Sequence, residues 1–306
     1  MTEYHYTNLP NAPVAEADVL ILPVPLEQTV SYKPGAGRAA YSVLEVSDQV
    51  EYYEDDVGWC PTKHMKVCVL PGFEPEDQLT GIDYQNRLYD HVAALPGDNL
   101  FIAIGGEHAV TPALVRARLP EPGWILHLDA HADLRAKFHG DPWSHATPIH
   151  HLLGYGHRVV QCGIRSFFEG EAVRIANDPM ITCYRDRELQ KPKVWQQLMD
   201  DIASFSGPGY LTIDMDGFDP ALVPGVGTPQ PGGLSWFQGL DIIEALFANP
   251  NIDLRGMDIV ELAHDVHHVS EMTAAKLLQK AMSFWGRSKG YPNRPETGSQ
   301  MSVDYD

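Results

Sequence analysis

Basic side chains are scarce in this chain of 306 residues. Lysine and arginine together number 22 against 41 aspartates and glutamates, which gives a formal net charge of −19. Nucleic acids and acidic membrane surfaces bind proteins through basic surfaces that displace counterions, so this balance excludes both as non-specific partners. A small cationic ligand would suit the same charge.

Long apolar runs and paired cysteines are also missing. The longest apolar stretch, 19–25, is far shorter than the ~20 residues that a membrane-spanning helix needs. The first residues carry no basic-then-apolar signal. The four cysteines have no CxxC spacing, and three of them lie in apolar, strand-like runs, as small buried thiols commonly do. We therefore expect a cytoplasmic protein that is neither secreted nor inserted in a membrane.

Short apolar runs alternate along the chain with longer mixed segments. Eight runs with strand character begin at Asp18, Met65, Asn99, Trp124, Arg158, Met180, Tyr210 and Asp253. Helices are predicted between them at 78–95, 111–118, 193–205, 236–247 and 270–284. Strands that alternate with helices predict a parallel sheet covered on both faces. We predict a single-domain α/β fold over residues 1–306, with three α-β-α layers, a mostly parallel sheet of about eight strands, and a loosely ordered tail at 287–306.

Acidic and imidazole side chains gather where the apolar runs stop. In an open parallel sheet, ligands bind beyond the carboxyl ends of the strands. The third run ends at a Gly-Gly pair followed by Glu107 and His108. The fourth ends in Leu-His-Leu-Asp-Ala-His-Ala-Asp, and an extended chain would point Asp129, His131 and Asp133 to one side.

Two later runs repeat this arrangement. The seventh run emerges into Asp214 and Asp216, and a stretch dense in glycine and proline follows as far as Gly233. Such a stretch cannot form a helix or a central strand, so it is interpreted as a stiff, shaped loop. The last run ends in Glu261, at a matching place.

These segments offer two imidazoles and four aspartates as metal ligands. The candidates are His108, Asp129, His131, Asp133, Asp214 and Asp216. Buried carboxylates this crowded would cost several kcal/mol unless positive charge lay between them. An oxygen-rich set with some imidazole favours harder ions such as Mn²⁺ over a single zinc. Because two divalent cations would balance four aspartates, we predict two Mn²⁺ per chain.

Three motifs resemble the signatures of the ureohydrolase family of arginases and agmatinases. They are GGEHAVT, LDAHADLR and the segment from Thr212 to Gly233, which follows the family pattern SxDxDxxDPxxxPGxGTPxPGG with threonine for the usual serine. The resemblance implies an arginase-like fold and two manganese ions. One ion would be held by His108, Asp129, Asp133 and Asp214. The other would be held by Asp129, His131, Asp214 and Asp216, so that Asp129 and Asp214 bridge.

The resemblance also assigns roles around the metals. SHATPI at 144–149 is similar to the agmatinase loop SHGTPF, which makes His145 the expected proton shuttle. Its Ala146 stands where the family has glycine, and a positive φ there would strain an alanine. Glu261 is similar to the carboxylate that pairs with the guanidinium, Thr228 is expected to help hold that end, and Asp133 would pass a proton to the leaving amine.

The resemblance to agmatinases implies hydrolysis of a guanidino group, first of all conversion of agmatine to putrescine and urea. The predicted partner is thus a cationic guanidino compound, and relatives of this type commonly form trimers or hexamers. An ammonium at the far end of the substrate could meet Glu169, Glu171 or Asp141. Arginine, guanidinobutyrate and guanidinopropionate remain alternatives, and the guanidino acids would need a cation such as Arg165 or Arg174.

Two further functional classes stay open. A metal-dependent amide deacetylase would share the fold but bind one zinc with fewer aspartates, and an inactive binding homologue would retain the ligands without turnover. Outside the motifs, His264, His267 and His268 are interpreted as a hydrated, histidine-rich turn rather than another metal site.

Overall fold

All eight predicted strands are present and lie in one parallel sheet. The computed structural model describes residues 3–75 and 78–291. The strands are β1 (Val19–Val24), β2 (Val67–Val69), β3 (Leu100–Gly105), β4 (Trp124–Leu128), β5 (Arg158–Ile164), β6 (Ile181–Arg185), β7 (Gly207–Asp214) and β8 (Ile252–Val260). Their order across the sheet is β2-β1-β3-β8-β7-β4-β5-β6. Every residue of β1, β3 and β4 is buried, which explains why β1 and β3 are unbroken apolar runs and β4 is interrupted only by His127.

Ten α-helices surround the sheet in the described part of the chain. They are α1 (Ala36–Val46), α2 (Pro61–His64), α3 (Gly81–Ala93), α4 (Thr111–Arg118), α5 (Pro148–Gly154), α6 (Glu169–Asn177), α7 (Asp186–Leu189), α8 (Pro192–Ser204), α9 (Trp236–Ala248) and α10 (Val269–Ser288). The five predicted helices correspond to α3, α4, α8, α9 and α10. The other five helices, α1, α2, α5, α6 and α7, were not predicted from the sequence.

The helices cover both faces of the sheet, which confirms the predicted three-layer α/β architecture. One core layer joins α1, α8, α9 and α10 to alternate strand residues such as Val19 and Ile21. The other joins α3, α4 and α5 to the residues between them, such as Leu20 and Leu22. This alternation is what a two-sided strand requires, since successive side chains point to opposite faces.

Only the first residues of the predicted loosely ordered tail, 287–306, are described by the structure. Arg287 and Ser288 are the last residues of α10, whereas 292–306 lie outside the described residues. That residues 1–306 form a single domain stays a prediction. Within the described residues, no helix is long and apolar enough to cross a membrane.

Gly106 joins the carboxyl ends of three neighbouring strands. Its N–H donates to the carbonyl of Val24 at 2.8 Å, and its carbonyl accepts the N–H of Glu261 at 2.8 Å. A Cβ at this position would overlap the backbone carbonyl of Leu26. The backbone can therefore close over the ends of β1, β3 and β8 only if residue 106 has no side chain.

We expect Gly106→Ala to lower the free energy of unfolding by roughly 1–3 kcal/mol, because backbone must move to admit the methyl group. The urea midpoint measures this. Gly97→Ala is the matched control, since a Cβ at Gly97 meets no atom within 4 Å, and it should stay within about 0.5 kcal/mol of the original chain. Equal midpoints for the two variants would contradict this view of Gly106.

Candidate metal centre

The six predicted ligands come together at the carboxyl ends of the central strands of the sheet. β3, β8, β7 and β4 are consecutive strands in the sheet, although they lie far apart in sequence. Their carboxyl ends lead into His108, Glu261, Asp214 and Asp129. The sheet order therefore collects side chains from all four segments at one place.

His108 forms the first group with three aspartates. Its Nδ1 lies 3.3 Å from Asp129 Oδ2, 3.2 Å from Asp133 Oδ2 and 3.4 Å from Asp214 Oδ2. All four side chains are buried, and His108 Nδ1 has no hydrogen-bond partner in the part of the chain that the structure describes. Ligand atoms about 2.1 Å from a shared cation stand roughly 3 Å apart, so these spacings fit a bound ion.

A hydrogen-bonded relay fixes which nitrogen of His108 is available. The Thr212 hydroxyl lies 2.9 Å from His108 Nε2 and donates its single hydrogen to Asp258 Oδ1 at 2.6 Å. The Thr212 oxygen must therefore accept a hydrogen from Nε2, which leaves the Nδ1 lone pair facing the aspartates. Thr111 donates to the other Asp258 oxygen at 3.0 Å. Sequence reasoning missed Asp258, although a carboxylate inside the apolar run of β8 was a usable signal.

The second group shares Asp129 with the first. His131 Nδ1 lies 3.0 Å from Asp216 Oδ2 and 3.6 Å from Asp129 Oδ1. Since Asp129 Oδ2 faces His108, its two oxygens point to different groups, as a bridging ligand requires. Asp214 directs Oδ2 to the first group while its Oδ1 accepts the N–H of Asp216 at 2.8 Å. The bridging role of Asp214 stays a prediction.

The local backbone differs from the expected extended chain. β4 ends at Leu128, before Asp129, and Asp133 has a φ of 51°. Asp216 lies in a 3-10 turn rather than on β7. The prediction that Asp129, His131 and Asp133 share a face of an extended strand was thus wrong, because β4 ends before Asp129 and the backbone is left-handed at Asp133. The same side chains nevertheless meet.

His127 supports Asp129 from behind and was not predicted. Gln161 Nε2 donates to the carbonyl of Ala132 at 2.8 Å and lies 3.1 Å from His127 Nδ1. The amide nitrogen makes His127 Nδ1 an acceptor, so His127 Nε2 carries the hydrogen that it donates to Asp129 Oδ2 at 2.7 Å. The alternation in β4, with His127 two residues before Asp129, was the signal that could have identified it.

The buried carboxyl groups strongly disfavour one another's charge. Burial, reinforced by Asp129 and Asp216, raises the pKa of Asp214 well above its usual value. Burial and the charge of Asp129 raise the pKa of Asp133 to about 7. Positive charge placed among these oxygens would reverse both shifts. The donor set, its spacing and its crowded charge thus fit divalent cations.

A cavity of about 340 Å³ opens over this cluster. Asp133, Asp214 and His131 line it, as do Glu261 and Thr228. The Thr228 hydroxyl donates to Asp216 Oδ2 at 3.2 Å. The predicted substrate-contacting residues therefore share one cavity with three of the six candidate metal ligands.

Comparison with known proteins decides the family. Residues 17–283 match the family model described as the arginase family. The chain belongs to the arginase family. It is 37% identical over 286 residues to N(1)-aminopropylagmatine ureohydrolase of Synechocystis sp., covering 90% of this chain and 91% of the relative. It is 32% identical to an agmatinase of Bacillus cereus, covering 88% and 92%.

Solved structures agree with this assignment. The agmatine ureohydrolase of Thermoplasma volcanium superposes with a TM-score of 0.79 at 28% identity, covering 91% of this chain and 93% of that one. The resemblance to the ureohydrolase family and the predicted fold are thus confirmed. This arginase-family protein is an agmatinase-like ureohydrolase, an enzyme that acts on amidino C–N bonds.

In this arginase-family chain, the SHATPI loop tolerates its alanine without strain. Ala146 is not among the described residues with a positive φ. The neighbouring His145 lines the cavity, and Thr29 Oγ1 lies 2.9 Å from its Nδ1. Thr29 donates its own hydrogen to Glu107 Oε2 at 2.7 Å. His145 Nδ1 therefore donates to Thr29, which leaves Nε2 as an acceptor, 3.4 Å from the Ser31 hydroxyl.

We expect Thr212→Val to weaken metal binding about 10- to 100-fold, because it removes the hydroxyl that orients His108. Thr212→Ser keeps a hydroxyl and should bind metal like the original chain. Equilibrium dialysis against Mn²⁺ with elemental analysis measures both. Equal affinities in the valine and serine variants would show that the relay does not orient the ligand.

Proposed function

We propose that this protein is a binuclear manganese hydrolase of guanidino compounds with cationic tails. The observation that carries the proposal is the orphaned, buried His108 Nδ1 among three aspartate oxygens at the floor of an open cavity. The ions would be held by His108, Asp129, His131, Asp133, Asp214 and Asp216. When bound, two divalent cations would lower the pKa of a shared water towards ~7 from 15.7.

Glu261 is suited to receive the guanidinium. Its Oε1 accepts the backbone N–H of His108 at 2.6 Å, and its φ of 61° turns the side chain into the cavity beside the metal ligands. Burial raises the pKa of Glu261 to about 8. A guanidinium alongside would favour the charged carboxylate and form a planar, bidentate pair that fixes the guanidino carbon over the cluster. Thr228 lies in the same wall.

His145 and Asp133 are proposed to move protons. Burial lowers the pKa of His145 to about 4, so its imidazole is neutral near pH 7 and its Nε2 can accept a proton. Asp133 lines the cavity and would pass a proton to the leaving amine. Attack of water on the guanidino carbon, followed by loss of the amine, then yields urea.

The outer cavity is suited to an aliphatic chain that carries positive charge. Phe138, Phe167 and Phe168 line it together with the buried Glu171. Each oxygen of Glu171 accepts one backbone N–H at 3.0 Å, from Leu134 or Phe168, and retains a second lone pair. Aromatic faces and a carboxylate both attract ammonium groups. Of the three acidic candidates for the tail, Glu171 lines this cavity, whereas Glu169 and Asp141 are not among its lining residues.

The two arginines considered as partners for the carboxylate of a guanidino acid make hydrogen bonds to other groups of the protein. Arg165 donates to backbone carbonyls that include those of Asp216 and Gln230. Arg174 donates to the carbonyl of Leu134 and contacts His150. The cavity does contain Arg135, whose guanidinium lies over the rings of Phe138 and Phe168 at 5.2 and 4.3 Å. The presence of Arg135 in the cavity favours a second candidate, a substrate with a carboxylate tail such as guanidinobutyrate.

Two cationic substrates fit the first candidate. Agmatine would give putrescine and urea, and N(1)-aminopropylagmatine would give spermidine and urea. Relatives named for the aminopropyl compound are 37% and 34% identical to this chain, against 32% for an agmatinase. We therefore extend the sequence-based proposal of agmatine to its aminopropyl derivative. The four-aspartate donor set disfavours a one-zinc deacetylase.

Cytoplasmic location and a homo-oligomer of three or six chains belong to the same proposal. Both rest on composition and on the family resemblance.

Urea release with Mn²⁺ should be fastest, by kcat/KM, for agmatine or N(1)-aminopropylagmatine. Arginine, guanidinopropionate and guanidinobutyrate should each be at least about tenfold slower, because a carboxylate would meet Glu171. Chelation should abolish the activity, and Mn²⁺ should restore it. The variant Arg135→Gln separates the two candidates. It should not reduce the turnover of a cationic substrate. If guanidinobutyrate were the best substrate and its turnover fell in this variant, the proposed cationic tail would be overturned.

We expect His145→Ala to keep two metal ions per chain and to lose about 10²-fold in kcat, because a proton acceptor is removed and no ligand changes. Elemental analysis and the urea assay measure the two effects separately. His139→Asn changes a neighbouring exposed histidine and should stay near the original rate. Undiminished kcat in the alanine variant would move the proton transfer to another group.

A further inference from the structure

A second cluster of potential ligands lies at the start of α10, outside the metal centre. Its members are His264, His268 and Glu271. Their ligand atoms lie within 4.8 Å of one another. Sequence reasoning grouped the histidines of this turn as hydrated and did not include the glutamate. The structure separates them, because His267 does not belong to the cluster.

One histidine of this cluster is hydrogen-bonded to the carboxylate of Glu271, and the other faces it from beyond hydrogen-bonding distance. Glu271 Oε1 lies 2.9 Å from His264 Nδ1 and 3.6 Å from His268 Nδ1. The longer distance exceeds that of a hydrogen bond, yet the ring nitrogen still faces the carboxylate. Nitrogen and oxygen ligands of a tetrahedral zinc, each about 2.0–2.1 Å from the metal, are roughly 3.3–3.4 Å apart. The two observed distances lie on either side of that value.

The carboxylate at the centre of the cluster lacks part of its expected coordination. The Glu271 side chain is fully buried, and its Oε2 has no hydrogen-bond partner among the described residues. Its Oε1 accepts the N–H of Asp265 at 2.9 Å. A buried carboxylate with one unsatisfied oxygen is costly unless a cation neutralises it. A bound divalent ion would supply that charge.

The turn that carries the histidines is fixed by its backbone and is open to solvent. His264 N–H donates to the carbonyl of Gly35 at 3.3 Å, and His268 N–H donates to that of Asp265 at 2.9 Å. The His264 and His268 side chains are 37% and 52% exposed, so an ion can reach them without unfolding. The ligands are therefore held in position before an ion arrives.

This cluster also adjoins the loop that carries Thr228. Gly225 N–H donates to Ser270 Oγ at 2.7 Å, and Ala263 N–H donates to the carbonyl of Gly225 at 2.9 Å. An ion that ties His264 and His268 to α10 would thus hold one end of the cavity loop against the helix. Its expected effect is on stability rather than on the chemical step.

We propose that His264, His268 and Glu271 bind one zinc-class divalent ion, additional to the pair in the metal centre. Two imidazoles and one carboxylate form a donor set typical of zinc, with a fourth position left for water. This inference does not rest on the proposed function, since it concerns other residues and another metal class.

Zinc binding is measured by equilibrium dialysis and elemental analysis on the Mn²⁺-loaded protein, its His268→Ala variant and the matched control His267→Ala. The original chain and the control should each bind one more zinc per chain than His268→Ala, or bind it at least about tenfold more tightly. Exchange of zinc into the metal centre is common to all three proteins and cancels in the comparison.

Thermal unfolding supplies the second measurement. Zinc should raise the Tm of the original chain and the control but not that of His268→Ala, because binding only to the folded state stabilises it. Glu271→Gln should lose the same increment. Urea release without zinc should be alike in the original chain and the two histidine variants. Equal zinc content and equal Tm shifts in all the proteins would overturn the proposal.

Discussion

Repulsion among buried carboxylates is the constraint on which this molecule depends. The aspartates around His108 are buried and lie with their oxygens 3.2–3.4 Å from one ring nitrogen. Burial and neighbouring negative charge raise the pKa of Asp133 and of Asp214, so the crowding favours the neutral forms of these two groups. The fold holds them there because the ends of four central strands lie at the same edge of one sheet. Divalent cations would convert this unfavourable charge into a binding site.

The side chains behind the ligands are also held by hydrogen bonds. Asp258 acts on His108 through the Thr212 hydroxyl, and Gln161 acts on Asp129 through His127. In each relay the outer partner determines which nitrogen carries a hydrogen, so the inner group presents a lone pair or a charge in one direction. The relays lie within β4, β5, β7 and β8, and their side chains at His127, Gln161, Thr212 and Asp258 are fully buried.

Much of the fold could be predicted because buried parallel strands are continuous apolar runs. All eight strands were found in this way, as were five of the ten helices in the described residues. Helices α1, α2, α5, α6 and α7 were missed; α2 and α7 have only four residues each, and Glu171 is the only buried residue of α6. Local patterns were also insufficient at the site: period-two reasoning predicted an extended chain through Asp133, whereas Asp133 itself has a left-handed backbone. Local patterns carry no information about such turns.

The sequence by itself determined the class of fold, the family and the six candidate ligands, because strand periodicity and short motifs are local properties. Only the tertiary structure decided which oxygen of Asp129 faces which histidine, that Asp258 and His127 support the ligands, that Arg135 lies in the cavity, and that Glu271 joins two of the three histidines near α10. These contacts join segments distant in the chain or hidden by a turn. They follow from the strand order and from backbone angles, which no local pattern specifies.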